Sequence, residues 1–239
     1  EIQQHAISFL PSGYMLNNLK ILLGKSFNPA VGFRNSLIIS IGSTALAVYF
    51  SSLTAYALVA YDWKLRQPFF SFIMCVMMIP AQVTTIGFYQ MVYKIGMTNH
   101  LSMLILPAIA SPTMVFFMRQ YLQPTLSMEI VQSARIDGAK EFMIFNRIVL
   151  PIMKPAVATQ AIFQFIAQWN NLFTPTILLT TDSKKTLPMF VQLLSSNQFR
   201  TDYGVVYVGL FVTIIPLVVV YLVLSKYIVA GVALGGVKG

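Results

Sequence analysis

The 239-residue chain is 56% hydrophobic and only 10% charged, with a mean hydropathy of +0.71. A soluble domain carries roughly 25% charged residues, so this chain lacks the polar surface that water demands. Its formal charge of +9 comes from basic residues spread through the loops, which excludes the clustered stripe a nucleic-acid backbone requires and suits the flanks of membrane helices. Cys75 is the single cysteine, and His5 and His100 stand far apart, which rules out a disulfide framework and leaves too few ligands for a transition-metal site.

Crossing a bilayer core takes roughly twenty apolar residues of helix. The chain opens at Glu1 with neither an initiator Met nor a signal-peptide pattern, and reads as part of a longer protein whose beginning is missing. Gly24-Lys25-Ser26 resembles the end of a P-loop, but Leu19 occupies the position that motif reserves for Gly. ATP hydrolysis by this chain is therefore not expected. Spans are predicted over about 36–60, between Arg34 and Asp62-Trp63-Lys64, and over about 69–93, between Pro68 and Lys94. The stretch 101–117 is shorter and carries Pro107 and Pro112, which leaves a re-entrant or soluble core helix as the alternative to a third span. Two more follow, 156–179 after Lys154-Pro155 and 203–227, the most apolar of all.

Between the third and fourth spans runs a polar loop, 120–154, holding Arg135, Lys140, Arg147 and Lys154. If it faces the cytoplasm, alternation puts Lys64, Arg66, Lys226 and Lys238 beside it, and Lys20, Lys25, Arg34, Lys94, Lys184, Lys185 and Arg200 opposite. The positive-inside bias slightly favours this orientation, with a cytoplasmic C-terminus. A lost first helix would make the number of spans even. Within the loop, Thr125 is placed to cap a short helix with Glu129 early and Arg135 late, as the helix dipole prefers. Gly138 sits where a left-handed turn would end that helix. A second short helix is predicted over 140–149, closed by Pro151, with Phe142, Phe145, Ile148 and Val149 on one face. Neither helix reaches the roughly 12–15 residues at which an isolated helix is marginal in water, so both need packing, against the bundle or another protein. An ordinary amphipathic loop is the plainer alternative.

The residues Gln132-Ser133-Ala134, Gly138 and Ile148-Val149-Leu150-Pro151 keep the spacing of a known signature, E-A-A-x3-G-x9-I-x-L-P. It resembles the EAA loop of binding-protein-dependent ABC importer permeases. The string Ala134-Arg135-Ile136-Asp137-Gly138-Ala139 is similar to the carbohydrate branch of that family, especially its second maltose-type subunit. Asn35-Ser36-Leu37-Ile38, Met78-Ile79-Pro80, Leu104-Ile105-Leu106-Pro107, Arg119-Gln120 and the tail from Val229 are also similar to the family. Gln132 replaces the motif's acid and Ser133 its first Ala, so an ionic contact there becomes a neutral hydrogen bond. Trp169-Asn170-Asn171 has Asn where relatives often carry an acid.

The resemblance implies an all-α transmembrane chain with the six-helix type I ABC importer permease fold, its first helix absent here, in a single permease domain over 1–239. It implies that Gln132, Ser133, Ala134, Gly138, Phe142, Ile148, Leu150 and Pro151 belong to a coupling helix seated in the groove of a separate ATPase. The chain would then form half of a translocation pathway for a sugar or oligosaccharide. The implied partners are a second homologous permease, an ATPase dimer that carries ATP and Mg, an extracytoplasmic solute-binding protein and membrane lipid. The implied place is a bacterial or archaeal cytoplasmic membrane. No catalytic residue, bound cofactor, metal or nucleic acid is expected of this chain.

Gln160, Gln164 and Gln168 fall four apart on one helix face. As polar groups at membrane depth they face either a sugar pathway or a neighbouring helix, where each hydrogen bond is worth roughly 0.6–2 kcal/mol. Trp169 either stacks on a sugar ring or anchors at the membrane interface, and Asn170 joins the candidate pathway. An ion-coupled secondary transporter would bring internal repeats or charges within its spans, and a membrane enzyme would cluster ionisable side chains. The sequence shows neither pattern. Nor does it name the sugar, since maltodextrins, raffinose-type oligosaccharides, other glycosides and glycerol phosphates pass through similar-looking permeases.

Overall fold

A computed structural model describes residues 13–24, 28–195 and 203–235, and the regular structure within them is helical. Lys25 and Ser26 of the P-loop lookalike, Arg200 and the tail 236–239 lie outside these residues. A short α1 (Met15–Gly24) precedes α2 (Pro29–Ala60), which starts where the Asn28 side chain accepts a hydrogen bond from the Val31 N–H at 3.2 Å. That acceptor and a proline in the first turn satisfy the helix start. Its 32 residues make a rod of about 48 Å, longer than a bilayer's hydrocarbon core. Around it lie α3 (Arg66–Met77), α4 (Ala81–Lys94), α5 (Ser102–Ile105) with a 3-10 turn (Leu106–Ile109), and α6 (Pro112–Thr125).

The polar loop holds α7 (Met128–Ile136) and α8 (Glu141–Ile144), which continues through a π-helical turn (Phe145–Val149) into α9 (Leu150–Ile152). Next come α10 (Lys154–Trp169), α11 (Phe173–Leu178), α12 (Leu187–Ser195) and the long α13 (Tyr203–Gly235). Among the described residues, three helical stretches are long and apolar enough to cross a membrane, Ala30–Ala60, Ser102–Thr125 and Tyr203–Val223. A fourth arises if Glu141–Ile152 and Lys154–Trp169, bent by 79°, count as one.

The structure departs from the predicted continuous spans at three places. The stretch 69–93 is broken at Met78-Ile79-Pro80, since Pro80 has no N–H to continue the ladder and holds the residue before it away from helical geometry. The stretch 156–179 stops at Trp169 and restarts at Phe173. The stretch 101–117 narrows into its 3-10 turn at Pro107 and restarts at Pro112, so helix continues to Thr125. Irregular backbone at membrane depth is tolerated only where protein or a water-filled cavity receives it. Two of the breaks, in 101–117 and in 156–179, open on such a cavity, described below.

α2 is the axis, packed against α6, α10 and α12. Small residues let neighbours approach it closely. A Cβ on Gly32 would meet Phe190 Cδ2 at 2.8 Å and the Leu187 Cα at 3.0 Å, so α12 rests directly on the α2 backbone. Nearby, Trp169 is buried between Phe33, edge-on at 5.6 Å, and Phe165, stacked at 5.7 Å. Its indole N–H donates to the Thr213 carbonyl at 2.9 Å. Thr213 stands three residues before Pro216 inside α13, where proline removes a ladder donor and loosens the turn behind it. Trp169 supplies a donor at that weakened turn. It is a core residue, and neither the sugar-stacking nor the interfacial role expected from sequence applies to it.

Candidate functional site

Two neighbouring features carry the chemistry, the loop between α6 and α10 and the cavity beside α10. In the loop, Thr125 ends α6, its hydroxyl donating to the Tyr121 carbonyl at 2.7 Å. The predicted cap on the following helix is therefore corrected, because α7 begins three residues later, after Ser127. Glu129 sits in the first turn of α7 and Arg135 in its last. Gly138, at φ +77°, ends it. The Gly138 N–H donates to Arg135 O and the Ala139 N–H to Ala134 O, both at 3.0 Å, the paired bonds of a Schellman stop.

The second helix runs past the predicted stop at Pro151 as far as Ile152. The π-helical turn just before Pro151 widens the backbone where the ring would otherwise collide with a carbonyl and a donor is missing. The chain then turns through 79° at Met153, itself fully buried.

The loop has two faces. Val131, Ala134, Ile144, Phe145 and Val149 are buried in one core with Ala47, Tyr56, Met118 and Leu122 of α2 and α6. Ile148 and Leu150 are half-buried against the same core. Gln132, Ser133, Gly138 and Pro151 are exposed. Phe142 is 66% exposed and Ile136 86%, so Phe142 does not share the face of Phe145 and Val149 as the helical spacing predicted. Of the motif residues, Ala134 serves inward packing, and its small side chain is what the core admits.

A charged knot fastens this loop to the end of α2. Arg135 Nε donates to Glu141 Oε1 at 2.6 Å, and Tyr56 and Tyr61 both donate to Glu141 Oε2, Tyr56 at 2.9 Å. The Arg135 guanidinium also lies 5.2 Å from the Tyr61 ring centre. Its hydrogen bond, more than the two tyrosines, holds the Glu141 carboxyl below its usual range against the opposing effect of desolvation. Burial, and then the bond to Glu141, push the Tyr61 phenol up from its ordinary range. Sequence reading placed Arg135 only at the dipole-favoured end of a short helix and gave Glu141 no role. Their partners on α2 lie 74 to 85 residues away along the chain, a separation at which spacing carries no signal.

The cavity measures about 490 Å³, within the 300–1,000 Å³ typical of small-ligand pockets. Its polar lining is Thr84, Thr85, Ser111, Gln164, Gln168, Asn171 and Thr174, with Phe88, Met103 and Pro107 among the apolar groups. Two of the helix breaks supply it, with Pro107, Ala108, Ala110, Ser111 and Pro112 from one and Asn171 from the other, and Thr84 and Thr85 reach it from within α4. Gln164 and Gln168 line it together, whereas Gln160, one turn nearer the elbow, does not. Asn170 is exposed and outside the lining, and Asn171 takes the place predicted for it, accepting from the Thr174 N–H at 3.3 Å. Pro107 and Pro112 were visible as the reason for a re-entrant alternative and Pro80 only as a family likeness, while the break after Trp169 carries no proline to signal it.

Sequence comparison puts this geometry among known proteins. The family described as "Binding-protein-dependent transport system inner membrane component" matches residues 47–233. The arabinooligosaccharides transport system permease protein of Halalkalibacterium halodurans is 35% identical over 241 residues, covering 100% of this chain and 86% of that protein. Its counterpart in Bacillus subtilis is 36% identical, covering 87% and 73%. Among solved structures, a bacterial ABC transporter involved in import of the acidic polysaccharide alginate has a chain with the same fold, at TM-score 0.79 and 22% identity, covering 95% of this chain and 84% of that one. By the match of that family model, this chain belongs to the binding-protein-dependent transport system inner membrane components, a family of permeases rather than enzymes.

Proposed function

We propose that the chain is one of two homologous permease subunits of an ATP-driven oligosaccharide importer, set in a bacterial or archaeal cell membrane with the coupling loop and C-terminus cytoplasmic. The observation that carries this reading is the division of the loop into a buried face and an outward face bearing Gln132, Ile136 and Phe142. Large apolar side chains standing in water ask for cover, and the groove of an ATPase subunit provides it. Gln132 then contributes a neutral hydrogen bond in place of an ionic one. ATP and Mg stay on the ATPase.

The cavity gives the second support. Hydroxyl and amide side chains offer donors and acceptors together, which sugar hydroxyls need, and Phe88 and Met103 offer apolar contact to the sugar's C–H face. The two relatives named for arabinooligosaccharides point to the same substrate class. Lipid and the sister permease cover the apolar outer faces, such as Phe211, Ile215 and Leu222 of α13.

Purification of the full-length protein from its native membrane tests this. The wild type should bring down a second permease, an ATPase and a solute-binding protein, whose bound sugar is read by mass spectrometry. The Gly138→Val variant should be expressed normally and transport nothing. Recovery of the chain alone, with ion-driven uptake into vesicles lacking ATP, sinks the reading.

A further inference from the structure

Resting on that reading, we infer that the coupling loop has a second mechanical output, α2, and that Glu141 is the positioning residue that joins them. The loop continues covalently into α10 only through the bent elbow at Met153. To α2 it is tied sideways, at several points and with direction. One carboxylate, Glu141, gathers Arg135 from α7 and the hydroxyls of Tyr56 and Tyr61 from α2 and its end. Seven residues before Tyr56, on the same side of α2, the Tyr49 hydroxyl donates to Asn146 Oδ1 at 3.2 Å, and its ring meets Phe145 edge-on at 5.5 Å.

These contacts differ in kind from the apolar packing around them. A packed face permits sliding at modest cost, whereas hydrogen bonds have preferred distances and angles. Bonds to a charged acceptor are the stronger ones. Three donors converging on one carboxylate fix both the height and the rotation of α2 relative to α7 and α8. The carboxylate is itself a branch point, since removing the tyrosine hydroxyls leaves the Arg135 ion pair within the loop intact. The loop and the lower part of α2 thus move as one body, and the bent elbow at Met153 carries that motion into α10.

Two exposed sites, Lys64 after α2 and Glu129 in α7, are suited to a pair of cysteine-attached spin labels, in a Cys75→Ser background because Cys75 is exposed. The measurement is the distance between labels in the purified transporter, with no nucleotide and with ATP plus vanadate. The unsubstituted loop should hold a single narrow distance in both conditions. The Tyr56→Phe/Tyr61→Phe variant should retain its ATPase subunit and its hydrolysis, keep that distance without nucleotide, and lose it with nucleotide. A change of about 5 Å, one helical turn, with the tyrosines present overturns the inference whatever the variant does. So does a variant that matches the parent in both conditions, or one that no longer holds its ATPase, which would assign the knot to docking alone. Failure of the parent protein to hold any ATPase would instead remove the transporter reading on which the inference rests.

Discussion

At Gly138 the backbone stands at φ +77°, and a Cβ built there would meet nothing within 4 Å. Within the chain, a substitution at this position therefore meets backbone strain and no clash. A left-handed residue other than Gly costs roughly 1–2 kcal/mol, more for a branched side chain and less for Asn, which tolerates that region. Uptake by whole cells should consequently fall in the order Gly138→Asn, Gly138→Ala, Gly138→Val, with expression constant. Equal loss in all three would mean that a side chain blocks a partner there, not that the turn is strained. The glycine was readable from sequence because a Schellman stop needs a left-handed residue just after the helix. The role of Glu141 was not, because a carboxylate in a loop looks the same whether it faces water or three donors.

Among elements, α12 comes close to the α2 backbone at Gly32, where the Leu187 Cα would stand 3.0 Å from a Cβ. Gly32→Val has to push the Leu187 backbone away, and overpacking of this kind costs about 1–3 kcal/mol. The expected result is a lower melting temperature of the detergent-solubilised protein, with α-helical content unchanged. A melting temperature equal to the parent's would show that α12 yields freely. The existence and order of the helices were largely legible, since hydrophobic runs and their charged flanks mark them without knowledge of neighbours. Their continuity was not. Pro80 lies inside a run whose composition satisfies a single span, and whether proline bends or breaks a helix depends on what receives the freed backbone groups. Phe142 shows the same limit on one turn: it stands within the same helical stripe as Phe145, yet the π-helical turn that follows rotates the buried set away from it.

On the scale of the whole molecule, the cavity and the loop are the two ends of one bent pair of helices. Gln164→Leu with Gln168→Leu leaves the loop untouched and removes two amides from the cavity lining. Each lost hydrogen bond is worth about 1 kcal/mol, so the paired change should reduce uptake by tenfold or more, roughly, while the ATPase still co-purifies. Unchanged uptake would return these residues to helix–helix bonding, the alternative their spacing left open. The 79° turn at Met153 also has a consequence of plain geometry. It makes a bell crank whose short arm, Glu141–Ile152, is about 18 Å long. On the other arm, Gln164 and Gln168 stand about 17 and 23 Å from the fulcrum. With arms so nearly equal there is little magnification: a 10° turn carries either end about 3–4 Å. What such a crank changes is direction, so that a thrust normal to the short arm emerges at the glutamines as a sweep across the cavity rather than along its wall.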